Sequence, residues 1–193
     1  MVGKMYNALR WAWVVLATIL FVGPSTAPTS AKKASPIGKP GPQHTRKLSI
    51  HLFTQMHRLK TAHPRLTHLE LCAPLDLPRD IGLRNAHLKY LKKLKHLKYL
   101  NICHSPITNL KECKNLRKLN WLSLRWTEVK KLAPLKNLHG LVYLDLSHTK
   151  ISSIRPLFGL SKLRILYIWK TNIPATEIKA LKKTNPKLHI MGP

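Results

Sequence analysis

The sequence predicts an α/β solenoid: a short curved parallel sheet on a concave face, helices or 3-10 turns on the convex face, and a helical cap at the N-terminal end. Three observations carry this. Leucines recur every 22 residues, at Leu97, Leu119, Leu141 and Leu163. Within each unit the apolar pattern changes from strict alternation, which suits a half-buried strand, to three-residue spacing, which suits a tight helical turn. Both ends depart from the central pattern, as the terminal units of a stacked array must.

The elements follow in chain order. Lys4 and Arg10 precede the apolar run WAWVVLATILFV at 11–22, Pro24 ends it, and Thr29-Ser30-Ala31 supplies small residues before Lys32. This is the layout of a cleaved signal peptide over 1–31. The run is short for a bilayer span; an uncleaved membrane anchor is the alternative. Residues 32–45 are rich in Pro, Gly, Ser and Lys and read as a flexible linker. Over 46–65, Leu48, Leu52, Met56 and Leu59 mark an amphipathic helix that caps the array.

Residues 66–96 form a long first repeat. It opens on an LxxLxL strand (Leu66, Leu69, Leu71) and carries a helix over 86–95 with Leu88, Leu91 and Leu94 inward. Residues 97–175 hold the 22-residue units. Leu100, Leu122, Leu144 and Leu166 share one column, and Ile102, Leu124, Leu146 and Ile168 share the next. Ile107, Val129, Ile151 and Ile173 continue the register, with later columns led by Leu110, Cys113 and Leu116. Residues 176–191 read as the C-terminal cap: a short helix started by Thr176, with Ile178 and Leu181 inward, then a closing strand at Leu188-His189-Ile190. A single unit cannot bury its own leucines, so neighbours stack into one core.

The unit LxxLxLxx(S/T)xIxxLxxLxxL resembles the leucine-rich repeat family, and its length is similar to the internalin class. The resemblance covers 46–191 and implies ligand binding without naming the ligand. One departure stands out. The ninth position, usually Asn in the family, holds Ser105, Thr127, Thr149 and Thr171. A hydroxyl offers one donor against the amide's two, so a sparser bonding ladder is expected here.

Residues pointing away from the leucines form the concave face. The third strand position reads Tyr99, Trp121, Tyr143, Ile165; the fifth ends in Asp145 and Tyr167. The seventh includes Arg125 and Trp169, and the eighth reads His104, Trp126, His148, Lys170. The leucine core has no need of these aromatics, and aromatic and Arg side chains dominate binding energy at interfaces. Tyr99, Trp121 and Tyr143 are expected to form a continuous strip at a strand spacing of about 4.8 Å. Two readings stand: a binding surface for a protein or a surface polysaccharide, or cross-strand packing that stiffens the sheet.

The 193 residues carry 34 Lys+Arg against 7 Asp+Glu, a formal charge of +27. A carboxylate-rich catalytic or calcium-loading protein is excluded by that balance. Lysines at 89, 92, 93, 95, 111, 114, 118, 130, 131, 136 and 162, with Arg117, fall in turns and back positions. They form a solvated shell or meet an anionic surface. Specific nucleic-acid recognition is disfavoured, because no aromatics are interleaved on that face and phosphate contact alone is blind to sequence.

Eleven histidines form no HxxxH or HExxH pair, and no CxxC is present. His104 and His148 sit roughly 10 Å apart, two strand spacings, so no metal site is expected. Cys103 beside His104 lacks a third group to orient it as a nucleophile. Cys113 occupies a leucine column and reads as a small core residue. Cys72 and Cys103 hold equivalent outward positions, and a disulfide between them stands against two free thiols, since adjacent parallel strands are not ideal for one. The sequence therefore predicts a non-enzymatic, exported module without a cofactor. It binds through the concave face at Tyr99, Trp121, Arg125, Trp126 and Tyr143, with Asp145, His148, Tyr167, Trp169 and Lys170. The alternative is a polyanion binder acting through the basic shell.

Overall fold

The computed structural model describes residues 47–49, 62, 64–72 and 83–192. The expected signal peptide, the linker and most of the N-terminal cap lie outside the described residues. Seven three-residue strands form one parallel sheet in chain order: β1 (Lys47–Ser49), β2 (His68–Glu70), β3 (Tyr99–Asn101), β4 (Trp121–Ser123), β5 (Tyr143–Asp145), β6 (Ile165–Tyr167) and β7 (His189–Met191). The pairing from β3 to β6 is residue for residue, Tyr99 on Trp121 on Tyr143 on Ile165. A shift of one position would turn the leucines out of the core, so the apolar pattern fixes this register.

Among the described residues four 3-10 segments back the sheet: η1 (Asn85–Lys93), η2 (Lys111–Asn115), η3 (Ala133–Leu135) and η4 (Arg155–Leu157). In a 3-10 helix side chains three apart eclipse, so Leu88 and Leu91 of η1, with Leu94 next to it, all enter the core. Pro134 and Pro156 sit in the first turns of η3 and η4, where a missing N–H costs nothing. Among the described residues one α-helix, α1 (Ala175–Thr184), precedes β7. The leucine columns merge into one core in which Leu100, Leu122, Leu144 and Leu166 are fully inaccessible.

Three expectations need correction. Leu48 belongs to strand β1, in register with Leu69, and does not begin a helix. Thr176 does not cap α1; Pro174 does, in extended conformation and with no side-chain cap bond. The closing strand runs one residue later than expected, over His189–Met191.

The loops leaving the strands share one geometry. The ladder continues past each strand, with His104 N–H donating to Arg125 O at 2.9 Å, Trp126 N–H to Ser147 O at 3.0 Å and His148 N–H to Trp169 O at 2.7 Å. The eighth residue of each unit then turns left-handed: φ is 52° at His104, 59° at Trp126, 57° at His148 and 53° at Lys170. None is a glycine, although such φ values favour one. The ninth-position hydroxyls close the same turn. Thr127, Thr149 and Thr171 donate to Leu124, Leu146 and Ile168 carbonyls at 2.6, 2.6 and 2.8 Å, each within its own unit. Ser105 donates to the nearer Cys103 carbonyl at 3.1 Å. An amide bridge between units occurs at the C-terminal cap, where Asn185 Nδ2 donates to Leu163 O, 22 residues earlier, at 2.8 Å.

Candidate functional site

The parallel register places the third-position rings side by side on the open face of the sheet. Tyr99 and Trp121 stack with centroids 4.1 Å apart, and Trp121 and Tyr143 at 4.7 Å, 7° from parallel. His68 extends the ladder beyond Tyr99 at 5.6 Å, and at the other end Tyr167 meets Tyr143 at 5.6 Å with a 45° tilt. His68 was not among the expected site residues. It could have been found by carrying the column back one repeat, since it is the third residue of the LxxLxL strand at 66–71.

Stacking changes what the ladder presents. Trp121 has a ring on each face, so its flat surfaces are occupied and its edge is what remains for a ligand. Ring edges are the electropositive part of the aromatic quadrupole and prefer acceptors such as carbonyls. The Tyr99 hydroxyl is pushed up to about 12 by burial, then by the Glu70 carboxylate. Burial, then Asp145, raises Tyr143 further still. Both phenols therefore stay protonated throughout the ordinary pH range and keep their O–H donors.

The fifth and seventh positions are less open than alternation implied. Ser123 and Ser147 are buried, and Asp145 is 7% exposed. The Asp145 Oδ1 accepts the Ser147 N–H at 2.8 Å, so that carboxylate oxygen holds the turn after β5 rather than standing free. In the eighth column Trp126 and His148 stack at 3.8 Å and are half-buried, while His104 is buried. Arg125, Trp169 and Lys170 are exposed, and Trp169 is half-accessible, the most open large apolar side chain among the described residues. The ten expected residues thus divide into a stacked ladder, a stacked pair beside it, one buried turn residue and three open side chains.

Cys72 and Cys103 are joined by a disulfide, with Cα atoms 4.7 Å apart. The thiol of Cys113 is buried in its leucine column and pushed up to about 12 by burial, then by Glu112. Among the described residues there is no group of three or more His, Cys, Asp or Glu able to hold a metal ion, and no helix is long and apolar enough to cross a membrane.

Short parallel strands every 22 residues, a left-handed residue after each strand and 3-10 turns behind define a leucine-rich repeat solenoid. One solved structure agrees in fold. An internalin C2 from Listeria monocytogenes is similar over 65% of this chain and 50% of its own, with 23% identity and a TM-score of 0.54. This chain therefore spans half the length of that relative. A leucine-rich repeat protein of Leptospira interrogans matches over 53% of this chain and 33% of its own, with 26% identity and a TM-score of 0.45. The leucine-rich repeat ectodomain of the Arabidopsis thaliana receptor kinase SOBIR1 matches over 53% and 59%, with 20% identity and a TM-score of 0.44. No protein-family model and no curated protein sequence matches the chain.

Proposed function

We propose that the protein is a non-enzymatic, exported recognition module that binds a protein partner along the open face of the sheet. The observation that carries this reading is the ring ladder from His68 to Tyr167, aromatic area that the leucine core has no use for. Because the internal ring faces are covered, a sugar has no flat surface to stack on at Trp121. An extended protein segment needs only the edges, the phenol donors and the open side chains Arg125, Trp169 and Lys170. The leucine-rich repeat fold supports protein binding in general. A disulfide between Cys72 and Cys103 suits an oxidising compartment, which supports export; intact Met1 recovered from the cytosol by mass spectrometry would refute export.

The competing reading assigns binding to the basic shell and leaves the ladder as packing. Partner capture across salt concentrations separates the two, because exposed charge contacts are screened as salt rises. Trp169→Ala is the cleaner probe of the face, since Trp121→Ala also removes two stacking contacts. Trp169→Ala is expected to weaken capture about thirtyfold, the loss of about 2 kcal/mol typical of an interface anchor. Normal capture by both Trp169→Ala and Arg125→Ala would end the strand-face reading.

A further inference from the structure

The cations are not spread evenly over the back of the array. They concentrate where the chain leaves each 3-10 segment and turns into the next strand. The four turn segments, 92–98, 114–120, 136–142 and 158–164, hold ten lysines and arginines and no acid. Because β3 to β6 pair residue for residue, the turns that lead into them are in register too. Two rows result: Lys92, Lys114 and Lys136, and beside them Lys95, Arg117 and His139, all exposed. Neighbouring units touch along this flank, with Lys118 Nζ 3.3 Å from His96 Nδ1. Glu112, just outside the turns, lies 3.5 Å from Lys92. On the other side, where strands exit, Glu128 pairs with Lys150 at 3.3 Å, so that flank carries charge of both signs.

We propose that the strand-entry flank binds a linear acidic polysaccharide, with one anionic group meeting each repeat. The spacing of the rows is that of the strands, about 4.8 Å, a repeat a sugar chain with one carboxylate or sulfate per residue can follow. The cations alternate with exposed amides at Asn115, Asn120 and Asn137, which both donate and accept and so suit sugar hydroxyls. The one Phe, Tyr or Trp of these segments, Phe158, packs against the core. Single-stranded nucleic acid relies on aromatic platforms for stacking, and this flank offers no exposed Phe, Tyr or Trp. The surface is separate from the ring ladder, so it stands or falls independently of the protein-binding reading.

The test uses the full chain and three immobilised polymers of matched length: polygalacturonate, neutral dextran and single-stranded DNA. The Lys95→Gln, Arg117→Gln, Lys118→Gln triple variant is compared with a Lys130→Gln, Lys131→Gln, Lys179→Gln variant of equal charge. The flank variant is expected to bind polygalacturonate at least tenfold more weakly and with reduced salt dependence. The control variant is expected to lose less than threefold, and Trp169→Ala nothing. Equal losses in the two lysine variants would make net charge the cause and overturn the proposal. So would dextran bound as tightly as polygalacturonate, or DNA bound more tightly than it.

Discussion

The middle of the array and its ends are held together by different means. In the units from 97 to 168 the same few columns are buried again and again, and the ninth-position hydroxyls close turns within their own units. Toward the ends, particular side chains pin one unit to the next. At the N-terminal end the Cys72–Cys103 disulfide ties β2 to β3, and Asn85 reaches the next unit through Thr108, donating to its hydroxyl at 2.7 Å and accepting its N–H at 3.2 Å. At the C-terminal end Glu177 of α1 accepts the Ile154 N–H at 2.8 Å, the Ser153 hydroxyl at 3.0 Å and the Arg155 Nε–H at 3.1 Å. Lys182 also donates to the Leu188 carbonyl. A repeat protein needs repetition in its centre and singular chemistry at its boundaries.

Substitutions can sharpen that contrast. The largest effect is expected in the centre: Leu144→Ala should cost about 2–5 kcal/mol by denaturant unfolding, because a fully buried leucine with ordered neighbours leaves a cavity. A loss below about 0.5 kcal/mol would mean that the central columns do not carry the stability. At the N-terminal end, Cys72→Ser together with Cys103→Ser should cost about 3–4 kcal/mol, the entropy of a closed loop with a sequence separation of 31. Non-reducing peptide mapping should first yield the Cys72–Cys103 peptide, with Cys113 resistant to alkylation until the chain unfolds; three free thiols in the purified protein would contradict it. The smallest effect belongs to the C-terminal pin. Glu177→Ala should cost about 1–3 kcal/mol by leaving the Ile154 N–H without its acceptor.

That last variant also has a pH signature. Burial tends to raise the Glu177 carboxyl, but the donors from Ile154, Ser153 and Arg155 outweigh it and hold the group below the usual carboxylate range. A lowered native value means that the stabilisation is complete above the unfolded value, about 4.3, and drains away as pH falls through the native one. The difference between wild type and Glu177→Ala should therefore be largest near neutrality and shrink in acid. A difference that stayed constant down to pH 2 would separate the pin from the charge of Glu177.

The central units were legible because one physical requirement, burial of leucines on one face, is written at a fixed period. Tyr99, Trp121 and Tyr143 could be aligned from spacing alone, and the structure stacks them. Spacing could not reveal that Asp145, Ser123 and Ser147 are buried. Alternation assigns a side to each residue, whereas accessibility also depends on the bulk of its neighbours across strands. The left-handed turns at His104, Trp126, His148 and Lys170 were hidden for another reason: no glycine or asparagine marks them. Leu48 misled because the three-residue strand at Lys47–Ser49 is too short to show its own period beside four apolar residues at helical spacing.

The residue-for-residue register has a consequence for how such a chain can change over generations. Deleting residues 119–140 would join Lys118 to Leu141 and leave every column intact, with Tyr143 arriving where Trp121 had stood beside Tyr99. Duplicating the same stretch would add one strand, one ring and about 4.8 Å to the face. Either event removes or inserts whole codons and asks nothing new of the leucine core. The length of the face is therefore inherited as a copy number, and homologous recombination within the gene can lengthen or shorten it in single steps without inventing a residue.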